Sequence, residues 1–171
     1  MDERIKDRLH PKKKPLPDSL SPDAAKEVDA IKRKRGTISK AGKEQVCDRD
    51  IAKLGPGQWL NDEIINFYGQ LIVERSSEAD KENREKNILN VHYFSTFFWT
   101  KLLDGYEKSR LAKWTKKIDI FAKDVVLIPV NHNTLHWTAA AINFRKKRIE
   151  SYDSMGSYRG AVYKVRKLFF F

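Results

Sequence analysis

His136 and Asp153 are the two residues of this 171-residue chain whose types and placement are best suited to chemistry. An imidazole takes up and releases a proton near neutral pH. A carboxylate bonded to one of its ring nitrogens fixes the tautomer and stabilises the cation, which leaves the other nitrogen to act as a general base. The two lie in short aromatic segments, Thr134-Leu135-His136-Trp137 and Ser151-Tyr152-Asp153-Ser154. A pair of this kind serves a nucleophile, but no cysteine follows Asp153, and the sole thiol of the sequence is Cys47. The sequence therefore holds two members of a nucleophilic triad, with Cys47 read as a buried or inert thiol. His132 and His136 also form H-x-x-x-H, a spacing known from zinc sites. Here it spans a turn into a strand and lacks the helix and glutamate that make such a pair useful, so no metal is expected.

For the pair to meet, one hairpin must bring it together. Val125 to Val130 reads as a buried strand, Asn131 to Thr134 as a turn, and His136 to Phe144 as a second strand. Arg145 to Lys147 forms a charged turn and Arg148 to Asp153 a third strand. Folding the last two strands antiparallel about Lys146 sets His136 level with residues just beyond Asp153. Opposed Cα atoms are separated by about 5 Å and a two-residue offset adds about 7 Å, within reach of side chains that lean together.

Upstream, folded character is expected from about Gln45. Val46 to Leu54 reads as a short strand or turn-like approach closed by Gly55-Pro56-Gly57. Ile64, Ile65, Tyr68, Leu71 and Ile72 recur at helical spacing, with Asn61 as N-cap and Asp62 and Glu63 at the positive end of the dipole. That start holds Trp59 in a defined place, with Leu60 able to staple onto Ile65. Arg75 to Asn90 is a charged loop or helix extension, and Val91 to Ser95 alternates like a strand. Thr96 to Leu103 reads as a helix whose Phe97, Phe98 and Trp99 bulk out the core. A last helix is expected from Gly160 to about Phe170.

Composition sets the frame for these elements. Forty per cent hydrophobic residues and four Trp indicate one globular domain, and a single Cys rules out an internal disulfide framework. The longest aliphatic run, Val125 to Val130, falls far short of the roughly 18 residues of a membrane span, so a soluble, intracellular chain with no membrane partner is expected. The net charge of +11 is divided nearly evenly between residues 1–44 and the remainder, with no concentrated basic stripe, which argues against nucleic acid as partner. Residues 1–44 contain no aromatic side chain and are read as a disordered basic extension. Its clusters Lys12-Lys13-Lys14 and Lys32-Arg33-Lys34-Arg35 fit either a nuclear-import signal or a solvated linker.

Trp59-Leu60-Asn61-Asp62 opening a helix, Phe97-Phe98, Leu127-Ile128-Pro129-Val130, His136-Trp137 and Tyr152-Asp153-Ser154, in this order, together resemble the ubiquitin-like-protein proteases of the Ulp/sentrin-specific class, the SUMO-processing cysteine peptidases. The resemblance covers about residues 46–171. It implies an α+β, papain-like fold, here incomplete because only the N-terminal portion of the catalytic domain is matched. It also implies a SUMO-specific cysteine peptidase that cleaves after a C-terminal Gly-Gly and needs no cofactor. By the same resemblance His136 is the base, Asp153 its orienting acid, and Trp59 and Trp137 the aromatic pair over the Gly-Gly tail. Asp62 and Phe97 are further contacts to SUMO or a related ubiquitin-like partner. Two facing indoles leave a slot that only residues without side chains can thread. The family order His, Asp, Gln, Cys places an oxyanion glutamine and the nucleophile after Asp153, where this sequence has neither. Its close in Leu168-Phe169-Phe170-Phe171 is read as a domain cut short. The 171 residues are therefore expected to be inactive alone, or to act as a pseudoprotease that binds a SUMO-like tail.

Overall fold

The computed structural model describes residues 17–81, 88–105, 107–157 and 160–164. The chain divides into two units, 1–34 and 35–171. In the first, helix α1 (Pro22–Arg33) opens on Ser21, whose hydroxyl accepts from the Ala24 N–H at 3.3 Å. This helix lies in the segment expected to lack order, while Lys12 to Lys14 lie outside the described residues.

The second unit begins before Gln45. Strands β1 (Thr37–Ala41) and β2 (Glu44–Cys47) form an antiparallel hairpin, so the expected boundary falls inside a paired element. The lysines of the hairpin disguise it in composition, yet Ala41 and Val46 are buried and Gly42 supplies the left-handed turn residue, φ 55°. A short helix α2 (Asp48–Ile51) and a 3₁₀ turn at Ala52–Leu54 follow, where the sequence suggested only a strand or turn-like approach.

Helix α3 (Asp62–Lys81) starts where the cap signal places it. Asn61 Oδ1 accepts from the Ile64 N–H at 3.2 Å. The helix runs through the first part of the charged insertion, and Ser76 ties it to the next strand by donating to the Leu89 carbonyl and accepting from the Val91 N–H. Gly69 is required by proximity: a Cβ there would collide with Cζ of the Tyr93 ring. Tyr93 lies across the helix with its hydroxyl near the Ile65 carbonyl (3.2 Å) and Asn66 Oδ1 (3.1 Å).

The main sheet has the order β3 (Val91–Tyr93), β4 (Val125–His132), β5 (His136–Asn143), β6 (Arg148–Tyr152), with β3 parallel to β4 and the other pairs antiparallel. Pro129 is tolerated in β4 because β3 pairs only with Val125 to Leu127, leaving the strand one bonded neighbour at that point. Val126, Ile128, Val130, Ala140 and Ile142 form one face of the core with Phe94, Phe98, Trp99 and Leu102. These aromatic and aliphatic side chains come from the Phe94 loop and helix α4 (Phe97–Leu103). The Phe94 and Phe98 rings stack with centroids 3.8 Å apart, and Trp114 of helix α5 (Ala112–Thr115) meets Phe98 edge-on. Helix α6 (Gly160–Lys164) adds the buried Val162; the expected continuation to Phe170 lies outside the described residues. Phe97 corrects the core reading of its segment, because it is 61% exposed while Phe98 and Trp99 are buried. Among the described residues no helix is long and apolar enough to cross a membrane. The architecture is α+β.

Candidate active site

The β5–β6 hairpin delivers the expected pair. Asn143 opposes Arg148 and Ala139 opposes Tyr152, and continuing that register puts His136 level with Met155, two residues beyond Asp153. The gap closes because the chain turns after β6. Asp153 Oδ1 accepts from the Met155 N–H at 2.9 Å, and the Asp153 carbonyl accepts from the Gly156 N–H at 3.0 Å. The turn swings the carboxylate toward the start of β5, where His136 Nε2 donates to Asp153 Oδ1 at 2.7 Å. The aspartate side chain is 3% exposed and the histidine 16%. A carboxylate accepts only, so Nε2 carries the proton and Nδ1 keeps its lone pair. Nδ1 has no hydrogen bond among the described residues. Such a nitrogen is a base waiting for an acidic hydrogen.

His132 lies beside this pair, its ring 6.2 Å from that of His136 and its Nε2 2.9 Å from Thr138 Oγ1. No group of three or more metal-ligating side chains gathers among the described residues.

The two expected slot residues are linked through the backbone between them. Trp137 Nε1 donates to the Leu60 carbonyl at 3.1 Å, fastening β5 to the approach of α3. Trp59, one residue before Leu60, is 62% exposed. Asp62 makes no hydrogen bond or ion pair among the described residues. Partial burial, then the neighbouring Glu63, raise its carboxyl above the ordinary value, and a cationic partner would relieve both effects. Phe97, on α4, adds an exposed ring.

The apolar stripe of α3 is buried at Ile64, while its Tyr68 and Leu71 border open space. Leu60, Ile64, Tyr68 and Leu71 line a groove of about 1060 Å³ together with Leu127, Pro129 and Ala139 of the sheet and with Trp137 and Asp153. Tyr68 is 63% exposed and Leu71 41%. At the margin of the groove Tyr152 donates to Glu150 Oε2 at 2.8 Å, while Arg148 Nε reaches Glu150 Oε1 at 2.6 Å. The hydrogen bonds from Tyr152 and Arg148 hold the Glu150 carboxyl at about 2, and Glu150 in turn raises the Tyr152 phenol.

Cys47 lies apart from the dyad at the end of β2, donating its thiol hydrogen to Asp50 Oδ2 at 2.8 Å. Sequence reasoning missed Asp50, although Cys47-Arg49 followed by an acidic residue has the spacing of a capping box. Burial pushes the Asp50 carboxyl upward, and hydrogen bonds from Cys47 and Asn61 outweigh it, leaving the group below its usual value. It also missed Asn66, which is 7% exposed. Asn66 Oδ1 accepts from the Thr96 N–H, and its amide donates to Thr96 Oγ1 at 3.1 Å. No local pattern announces a bond between residues thirty apart.

Comparison with known proteins identifies the family and the fold. Residues 58–169 match the Ulp1 protease family, C-terminal catalytic domain. The chain belongs to the Ulp1 protease family. The sentrin-specific protease of Caenorhabditis elegans is 45% identical over 112 residues, 65% of this chain and 15% of the relative. Human sentrin-specific protease 2 is 39% identical over 119 residues, 70% of this chain and 19% of the relative. The chain thus spans less than a fifth of either relative. Among solved structures, the SUMO protease Ulp1 with its catalytic cysteine oxidised to a sulfenic acid superposes with a TM-score of 0.66 at 27% identity, covering 91% of this chain and 67% of that one. The C-terminal Ulp1 protease domain in complex with Smt3, the yeast ortholog of SUMO, gives 0.65 at 26% identity, covering 90% and 70%. For this Ulp1-family chain the fold expected from the resemblance is the one observed.

Proposed function

We propose that these residues form the base-and-slot half of a cysteine peptidase site that acts on a SUMO-like protein after its C-terminal Gly-Gly. The observation that carries the reading is His136 bonded through Nε2 to a buried Asp153, with Nδ1 uncommitted and the adjacent Trp137 tied to the segment of the exposed Trp59. In this reading Nδ1 takes the proton of a thiol, and Asp153 stabilises the resulting imidazolium while the thiolate attacks the carbonyl of the last glycine. The proton then passes to the leaving amine, and water, activated by the same nitrogen, hydrolyses the thioester. Asp62, whose carboxylate has no partner among the described residues, meets a basic side chain of the SUMO-like protein, and Phe97 offers an apolar contact. Cys47 has no part in this chemistry, because its thiol hydrogen is held by Asp50.

A second reading rests on the slot alone: the 171 residues act as an inactive pseudoprotease that holds a SUMO-like tail between the exposed Trp59 and the Trp137 tied beside it. Both readings share the slot and differ in turnover. Lys12 to Lys14 and Lys32 to Arg35 are proposed to direct the protein to the nucleus.

The test is incubation with a precursor of a SUMO-like protein that carries residues beyond Gly-Gly. The expected result is retention of the precursor on the immobilised chain without cleavage detectable by mass. Cleavage abolished by Cys47→Ser would make Cys47 the nucleophile and overturn the assignment of roles. Failure to retain the precursor would overturn the slot.

A further inference from the structure

We infer that Asp50 is a positioning residue for the tail slot: through Asn61 it sets the segment carrying Trp59 and Leu60, and through the Leu60 carbonyl it sets Trp137. The functional part of this inference rests on the slot proposed above; the positional part does not.

Asp50 is 4% exposed, and no cation forms an ion pair with it among the described residues. Hydrogen bonds, with a weaker pull from the Arg49 charge, stabilise its carboxylate. Oδ2 accepts from the Cys47 N–H at 2.9 Å and from the Cys47 thiol at 2.8 Å. Oδ1 accepts from Asn61 Nδ2 at 2.9 Å. The other end of the Asn61 amide, Oδ1, caps α3 by accepting from the Ile64 N–H. An amide has one donor end and one acceptor end, and here a carboxylate that only accepts faces a helix N–H that only donates. Asn61 therefore has one satisfied orientation, and Asp50 selects it. The eleven-residue span from Asp50 to Asn61 is closed at its two ends, with Trp59 and Leu60 just inside the second. The Leu60 carbonyl then receives the Trp137 indole at 3.1 Å, and Trp137 directly follows His136. Displacing Leu60 thus displaces the ring next to the base.

Asp50→Asn is nearly isosteric but cannot serve both ends of the span: with its oxygen kept toward Asn61, its NH₂ meets the Cys47 N–H and opens the first end. If its oxygen serves Cys47, its NH₂ meets the Asn61 NH₂; if Asn61 flips to answer it, the Asn61 NH₂ meets the Ile64 N–H and the helix loses its cap. Cys47→Ser keeps a hydroxyl donor for Oδ2, and Asn61→Ser keeps a cap while losing the link to Asp50.

The experiment follows the Trp137 indole N–H by nitrogen-edited NMR and hydrogen exchange in the 171-residue chain, beside the affinity for a SUMO-like protein ending in Gly-Gly. Asp50→Asn and Asn61→Ser are expected to lower the protection of that N–H, and the affinity, by about tenfold each. Cys47→Ser is expected to leave both unchanged. Val46→Ala, a core truncation beside the network, is the control: it should lower stability without selectively exposing the indole. If either Asp50→Asn or Asn61→Ser keeps a protected, unshifted Trp137 indole once its stability matches the control, Asp50 is merely structural and the inference falls. Asn61→Ser decides the matter alone if Asp50→Asn does not fold. A loss of indole protection in a chain that binds no tail even as wild type would uphold the positional claim and remove the slot.

Discussion

Uncoupling His136 from Asp153 should cost more than their partial exposure suggests. The bond joins an imidazole N–H to a carboxylate at 2.7 Å, with the carboxylate 3% exposed. A hydrogen bond to a charged group contributes about 1.5–3 kcal/mol net, and removing one partner leaves the other's desolvation uncompensated. His136→Ala removes the bond to a buried carboxylate that keeps the Met155 N–H among its donors, for an expected loss of about 2–3 kcal/mol. Asp153→Ala also removes the Met155 bond and should cost about 3–4 kcal/mol. That additional bond is unaffected by His136→Ala, so it cancels in a double-mutant cycle, and the coupling energy should be about 2 kcal/mol. Urea denaturation at pH 7 with a common m-value supplies the four stabilities. Repeating the cycle in 1 M salt separates this pair from a surface ion pair, because screening over about 3 Å erodes an exposed interaction far more than a buried one. A coupling below about 0.5 kcal/mol, or one abolished by salt, would mean that the two side chains are not held together as described.

Two further outcomes follow from groups away from the dyad. Asn66→Ala should destabilise by about 2–4 kcal/mol in the same denaturation assay, since it strands the buried Thr96 N–H and hydroxyl in the junction between α3 and α4; a loss below about 1 kcal/mol would contradict the network. Glu150→Gln bears on pH. The folded carboxyl stands at about 2 against an ordinary 4.5, so its contribution is present above the unfolded value and is lost as pH falls from there toward 2. With Arg148 59% exposed the effect is about 1–2 kcal/mol, and the stability difference between wild type and Glu150→Gln should be largest near pH 7 and vanish near pH 2.

Short-range signals made much of the site legible. The Asn61 cap, the continuous apolar run of β4 and the charged turn between β5 and β6 are written in adjacent residues, and together they placed His136 and Asp153 at one end of one sheet. What eluded the sequence depends on partners remote along the chain. Nothing next to Phe97 distinguishes it from the buried Phe98, because the distinction is the direction of α4 over the sheet. The α3 stripe is buried at Ile64, yet at Tyr68 and Leu71 it borders a groove. Thr37 to Ala41 looked like a polar extension because lysines mask a hairpin whose inward residues are only Ala41 and Val46. Asp50 and Asn66 are polar residues whose value lies in burial, which composition does not reveal.

The slot itself is tested most directly by titrating the chain, with its indole nitrogens labelled, against a SUMO-like protein ending in Gly-Gly and against the same protein ending in Ala-Ala. Saturable shifts of the Trp59 and Trp137 resonances are expected with the Gly-Gly tail, at least about tenfold weaker with Ala-Ala, and lost for the tail in Trp59→Ala. Equal affinity for the two tails, or binding that leaves both indoles unshifted, would contradict the account.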